Sequence, residues 1–274
     1  MVFIFDKITL VVSLILYPFR DLPPLIGIAI ISLGTAVFAL LVYKNFSNQA
    51  AIKLRKKRIF GHFFGIYLFR DDLGSIIREL GRVLTSIFRY LAYVLPPLLI
   101  IIVPVLLLCV QMQLRYGHWN LRPGDEVNVS LKLAPEVKIL QSKIKLQVPP
   151  GLSIQTPPLR IKVRQEVDWR IAVQKFGDHT LTFTVDDTIL TKNLMARDRI
   201  GRIYPATERG SFFSIIANPG EKTIPDNSPI LSARIDYPTR KINLLGLHLH
   251  WAIVFLILAL LFGLILKKPL RVNL

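Results

Sequence analysis

LAYVLPPLLIIIVPVLLLCVQMQ, residues 91–113, carries no charged side chain and as a helix is long enough to cross the ~30 Å hydrocarbon core of a bilayer. Two stretches of the same character flank it at a distance: LPPLIGIAIISLGTAVFALLVY at 22–43 and LHLHWAIVFLILALLFGLIL at 247–266. The expectation is an integral membrane protein with three transmembrane helices. Hydrophobic residues make up 52% of the 274-residue chain, more than a water-soluble domain of this size normally carries. The formal net charge of +17 would suggest nucleic acid in a soluble protein. In a membrane protein, topology and anionic lipid headgroups account for it first, so nucleic acid is not the expected partner. Cys109 is the single cysteine, which rules out an intramolecular disulfide and a disulfide-stapled outer module.

Residues 1–18 imitate a signal peptide, but Asp6 and Lys7 lie inside the apolar run and no small-x-small cleavage site follows. Phe5, Ile8, Leu10, Val11, Leu14, Ile15 and Tyr17 recur at roughly helical spacing before Pro18, Pro23 and Pro24. Residues 1–21 therefore read as an interfacial amphipathic helix lying on the membrane. A fourth crossing is the competing reading, at the lower limit of length.

Orientation follows from charge near the span ends. Segment 44–89 holds ten lysines and arginines against Asp71, Asp72 and Glu79, and the tail at 267–274 adds Lys267, Lys268 and Arg271 with no acid. Both cues place the 44–90 connection and the C-terminus in the cytoplasm. With three spans, the N-terminus and region 114–246 lie outside, periplasmic or extracellular, on a bacterial cytoplasmic (inner) membrane.

Within the connection, Leu73, Ile76, Ile77, Leu80, Val83, Leu84, Ile87, Phe88 and Leu91 fall at amphipathic helical spacing. That helix is expected to start at Asp71 or Asp72 and to run into the second span. Ser47 or Asn48 can start an earlier helix bearing Lys53, Arg55, Lys56, Lys57 and Arg58, then Ile59, Phe60, Phe63, Phe64, Ile66 and Tyr67. Two antiparallel helices make a basic hairpin. Its simplest role is a juxtamembrane anchor on anionic lipid; docking of an acidic partner or a ribosome is the sharper reading.

No charge lies within 25–43, 91–113 or 251–266, which argues against a proton path or an intramembrane protease. Pro96, Pro97 and Pro104 are expected to kink the second span and free carbonyls. Gly27, Ser32, Gly34, Thr35 and Ala36 suit close helix packing in the first span.

The outer region alternates. Val127, Val129, Leu131 and Leu133, then Ile144, Leu146 and Val148, then Val167, Trp169, Ile171 and Val173, then Leu181, Phe183 and Val185 each face one way. Turn signals at 149–151, 157–158, 176–178 and 186–187 separate them. This predicts an antiparallel, immunoglobulin-like β-sandwich with Trp169 in its core. Alternation fades over 196–229, where a loop or a short helix at 212–217 is expected, and returns at Leu231, Ala233, Ile235 and Tyr237.

No catalytic constellation stands out, and neither a cofactor nor a metal is expected. His248 and His250 have no further ligands in sequence reach and read as an interfacial belt with Trp251. Asp186-Asp187 reads as a turn, as does 121–126 leading into the first strand.

The order of interfacial helix, inward span, basic cytoplasmic hairpin, returning span and final inward span resembles the core of YidC-type membrane insertases, particularly three-span relatives. Ser47-Asn48-Gln49, Leu68-Phe69-Arg70-Asp71-Asp72 and Arg115-Tyr116-Gly117 are similar to segments of uncharacterised bacterial membrane proteins. The resemblance covers residues 1–113 and 247–274. It implies a hairpin that receives a nascent segment and a shallow groove that eases polar flanks across. The chain differs in having no arginine within the spans and in its long β-region.

Two functions are therefore expected. One is a non-enzymatic protein that displays the β-domain to membrane or envelope proteins, as a partner or tether. The other is an insertase-like assembly factor whose partners are nascent membrane proteins or the ribosome.

Overall fold

A computed structural model describes residues 21–68, 73–210, 221 and 223–272. The expected interfacial helix, the start of the second hairpin helix at Asp71 or Asp72 and the helix at 212–217 lie outside the described residues. The chain divides into two compact units, one of residues up to Gly27 with Leu108–Trp251, the other built from Ile28–Leu107 and the segment from Ala252 onward.

Four helices are described: α1 Pro24–Phe46, α2 Gln49–Leu68, α3 Leu73–Tyr116 and α4 Trp251–Leu266. α1 and α3 are long and apolar enough to cross a membrane. Pro24 opens α1, where its missing N–H would have had no helical acceptor anyway. Ile28, Ser32, Ala36, Leu40 and Tyr43 are buried along one stripe of α1, while Ile26, Ile30, Leu33, Phe38 and Leu41 face outward. Both the covered stripe and the uncovered face of α1 are therefore largely apolar, which is unlike a helix in water, whose outer face is polar. The Ser32 hydroxyl donates to the Phe255 carbonyl of α4 at 3.3 Å.

Asn48 starts α2 as expected: its Oδ1 accepts the Ala51 N–H at 3.0 Å, satisfying one of the helix's orphan donors. Ile52 then packs with Leu40, Tyr43 and Val272. α3 runs unbroken for 44 residues, about 66 Å at 1.5 Å per residue, so the second hairpin helix does continue into the apolar stretch. Pro96, Pro97 and Pro104 lie inside it, leaving the carbonyls of Ala92, Tyr93 and Ile100 without their helical donors.

The third expected span needs correction at its start. Residues 247–250 are strand, and α4 begins only at Trp251 and runs 16 residues, about 24 Å. The repeat Leu247-His248-Leu249-His250 has a period of two, and that period prevailed over the apolar composition.

Eleven strands are described: β1 Glu126–Leu133, β2 Ile144–Gln147, β3 Leu152–Ile154, β4 Leu159–Ile161, β5 Glu166–Val173, β6 Gly177–Val185, β7 Thr188–Ala196, β8 Ala206–Glu208, β9 Ile230–Ile235, β10 Lys241–Leu244 and β11 Leu247–His250. One sheet runs β3-β5-β1-β9-β8, with β4 also on β5; a second runs β2-β6-β7; β10 and β11 form a separate hairpin. Every pairing between these strands is antiparallel. The inward residues predicted from alternation are buried: Val127, Val129, Leu131 and Leu133 on β1, and Val167, Trp169, Ile171 and Val173 on β5, share one core with Leu181, Phe183 and Val185 on β6. Trp169 and Phe183 meet across the two sheets with ring centroids 5.9 Å apart, a separation at which tilted aromatic pairs are attractive.

Asp186-Asp187 is indeed a turn, with Asp186 at φ 49° and its carboxylate accepting the Lys143 N–H at 2.9 Å. The β10–β11 turn places Leu245 and Gly246 at φ 53° and 88°, the left-handed pair that a two-residue hairpin loop requires. Within the faded region β8 forms, and Arg209 bridges to Ile224 beyond it.

Candidate functional site

The basic cluster lies on the first half of α2. Lys53, Lys56, Lys57 and Arg58 are exposed, while the Arg55 guanidinium sits over the Tyr93 ring of α3 at 5.9 Å. Arg55 is thus partly engaged in holding the hairpin. Further along, His62 Nδ1 meets Glu79 Oε2 at 2.9 Å, and Glu79 also takes Arg82 of its own helix. Gly65 lets α2 approach this carboxylate, since a Cβ there would come within 3.3 Å of it. Sequence reading passed over His62, Gly65 and Glu79 because their pairing spans two helices.

The apolar stripe read on the second hairpin helix is mostly uncovered. Val83 is buried, whereas Ile77, Leu80, Leu84 and Phe88 are exposed, as are Phe60, Phe63, Phe64, Tyr67 and Leu68 on α2. Of the three prolines, Pro97 is buried and Pro96 and Pro104 are exposed.

The β-bearing unit holds a second feature that sequence reading missed. A cavity of about 380 Å³ is lined by Arg122, Arg197, Arg199 and Arg240, with Asp21 and Asp198 as its only acids and Trp119 and Asn120 in its wall. The turn before β1 supplies Arg122, fixed when Asp125 Oδ2 accepts the Arg122 N–H at 2.8 Å. Arg197 and Arg199 follow β7. Arg240 precedes β10; its backbone N–H donates to the Gly117 carbonyl at 3.0 Å, and its guanidinium stacks on Trp119 at 4.4 Å. Burial pulls the Arg240 guanidinium below its ordinary range, partly offset by the nearby Tyr116 phenol. Arg197 is held by both oxygens of Asp178, a bidentate pair that raises it. The residues come from four separate parts of the chain, and only the run of arginines at 197, 199 and 202 hinted at them.

The polar residues at the C-terminal end of α3 are used internally. Trp251 Nε1 donates to Gln113 Oε1 at 2.6 Å, and Arg115 donates to the Gln111 carbonyl at 3.0 Å and its Oε1 at 3.1 Å. Tyr116 is buried, with its hydroxyl 2.5 Å from where a Cβ on Gly27 would stand, so glycine is what admits the ring. His248 and His250 lie on β11, with His250 against the Trp251 ring at 5.6 Å. Among the described residues, no three His, Cys, Asp or Glu side chains gather into a group that could hold a metal ion.

One buried charge completes the inventory. Lys192 points inward from β7, its ammonium 2.7 Å from both Thr207 Oγ1 and Glu221 Oε1. Burial lowers its pKa, and Glu221 opposes that.

No protein-family model matches the chain, and no curated protein matches it in sequence.

Proposed function

We propose that this chain is a multi-pass protein of a bacterial cytoplasmic membrane, with α1, α3 and α4 as its spans and an immunoglobulin-like β-domain presented outside to a partner protein. The apolar outward face of α1, with Ile26, Ile30, Leu33, Phe38 and Leu41 uncovered, supports the membrane reading, since lipid is the solvent that makes such a surface favourable.

The observation that carries the partner reading is β7. It is nine residues long, ends the β2-β6-β7 sheet, and bears Ile189 at 67% exposure. Its C-terminal end is already engaged, where the Met195 N–H donates to the Tyr237 hydroxyl and Ala196 bridges to Leu121, and the edge before that offers backbone donors and acceptors to an incoming strand. The inward-pointing Lys192 is a known device against indiscriminate edge pairing, which suits a strand kept for one partner.

The exposed apolar faces of α2 and α3 favour a second reading, an insertase-like assembly factor whose hairpin holds apolar client segments. One experiment separates the two: photocrosslinking in living cells from probes at Thr191 on β7 and Phe63 on α2. The presentation reading expects a discrete adduct from Thr191 with a mature envelope protein, lost when Ile189→Lys places a charge on the edge. Adducts from Phe63 to ribosome-bound nascent chains, with none from Thr191, establish the second reading and overturn the first.

A further inference from the structure

We propose that the cavity walled by Arg122, Arg199 and Arg240 is a phosphate-binding site that takes the headgroup of a membrane phospholipid.

Arg240 carries the argument. Its residue is 3% exposed, yet Nε and Nη1 have no hydrogen-bond partner among the described residues. Buried guanidinium donors left unmade are costly, and stacking on Trp119 fixes their plane without supplying an acceptor. The same residue is part of the lining of a cavity. Its volume of about 380 Å³ falls in the range of small-ligand sites.

The other cavity arginines are held loosely enough to exchange partners. Arg122 meets Asp198 at 3.4 Å and Arg199 meets Asp21 at 3.4 Å, with arginine side chains 64% and 69% exposed, and ion pairs of that kind are weak. A phosphate group presents several charged oxygens in one place and can meet three guanidinium forks at once, where a carboxylate has only two oxygens to share. Leu22, Pro23, Pro24 and Ile200 are apolar parts of the lining, and Pro24 is where the chain enters α1. A ligand with phosphate at one end and an apolar glycerol ester at the other matches that lining. The lipid source rests on the membrane reading of α1; the phosphate chemistry does not.

The test uses the full chain in a neutral detergent and follows tryptophan fluorescence, since Trp119 forms the wall. Dihexanoyl phosphatidylglycerol, glycerol 3-phosphate and dihexanoyl glycerol are titrated separately. The expected result is saturable binding of the short-chain phosphatidylglycerol, weakened about tenfold or more by Arg240→Gln, as loss of a charge-assisted contact implies. The paired Arg122→Gln and Arg199→Gln variant alters only exposed side chains and serves if the first does not fold. Equal, arginine-dependent binding of glycerol 3-phosphate upholds the site and makes a soluble phosphate ester its source. No saturable response to either phosphate, a response that survives both variants, or equal binding of the uncharged diglyceride overturns the proposal.

Discussion

Lys192 stands at a position that β-strand alternation alone would assign to an apolar side chain. Its neighbours on the same face of β7, Leu194 and Ala196, are fully buried, and the ammonium survives there because Thr207 and Glu221 surround it. Such a charge is costly to strand, with removal of one partner from a buried pair amounting to about 3–5 kcal/mol. Glu221→Ala is therefore expected to destabilise the β-domain by about 3 kcal/mol, discounted toward the low end because the Glu221 side chain is 17% exposed. Lys192→Met combined with Glu221→Leu is expected to recover most of that loss, measured by denaturant unfolding with Trp169 as the reporter. Equal destabilisation by the single and double variants would show that Lys192 is not dependent on Glu221. Residue identity alone did not reveal this pair, because the two partners are 29 positions apart and the intervening segment carries no regular pattern.

At the scale of elements, local chemistry was legible where it is short in range. Asn48 caps α2 through an acceptor three residues from its donor, and such contacts follow from sequence spacing. Asn48→Ala is expected to cost about 1 kcal/mol, seen as a lower melting temperature in detergent that Asn48→Ser largely restores. An unchanged melting temperature would mean that tertiary packing of Ile52, not the cap, sets the start of the helix. The strands β1, β5 and β6 were legible for a similar reason, since a period of two needs only the residues themselves. β3, β4 and β8, three residues each, are too short to show a period and exist because a longer neighbour pairs with them. β10 and β11 were hidden differently: Leu244, Leu245, Leu247 and Leu249 merged by composition with the apolar run that follows.

For the whole molecule, the distribution of charge makes the sharpest prediction. The +17 net charge is concentrated partly in α2 and in the tail after α4, and basic residues near short connections remain on the cytoplasmic side. In a Cys109→Ser background, Lys57→Cys is expected to label with a membrane-impermeant maleimide only after the membrane is opened. Val163→Cys, at a position 96% exposed on the β-domain, is expected to label in intact spheroplasts. The reverse pattern would invert the topology and move the β-domain to the cytoplasm.

Composition, hydrophobic runs and strand periodicity by themselves determined a chain of apolar helices joined to a β-rich region, with a basic helical hairpin between the first two runs. These are properties of neighbouring residues, and solvent partition and backbone period act on them directly. The tertiary structure alone decided which side of the hairpin's apolar stripe is covered, where the last helix begins, and that Arg122, Arg199 and Arg240 line one cavity with Trp119 in its wall. Those outcomes depend on contacts between segments far apart in the chain, and the energy of such contacts is set by packing and desolvation that no local pattern records.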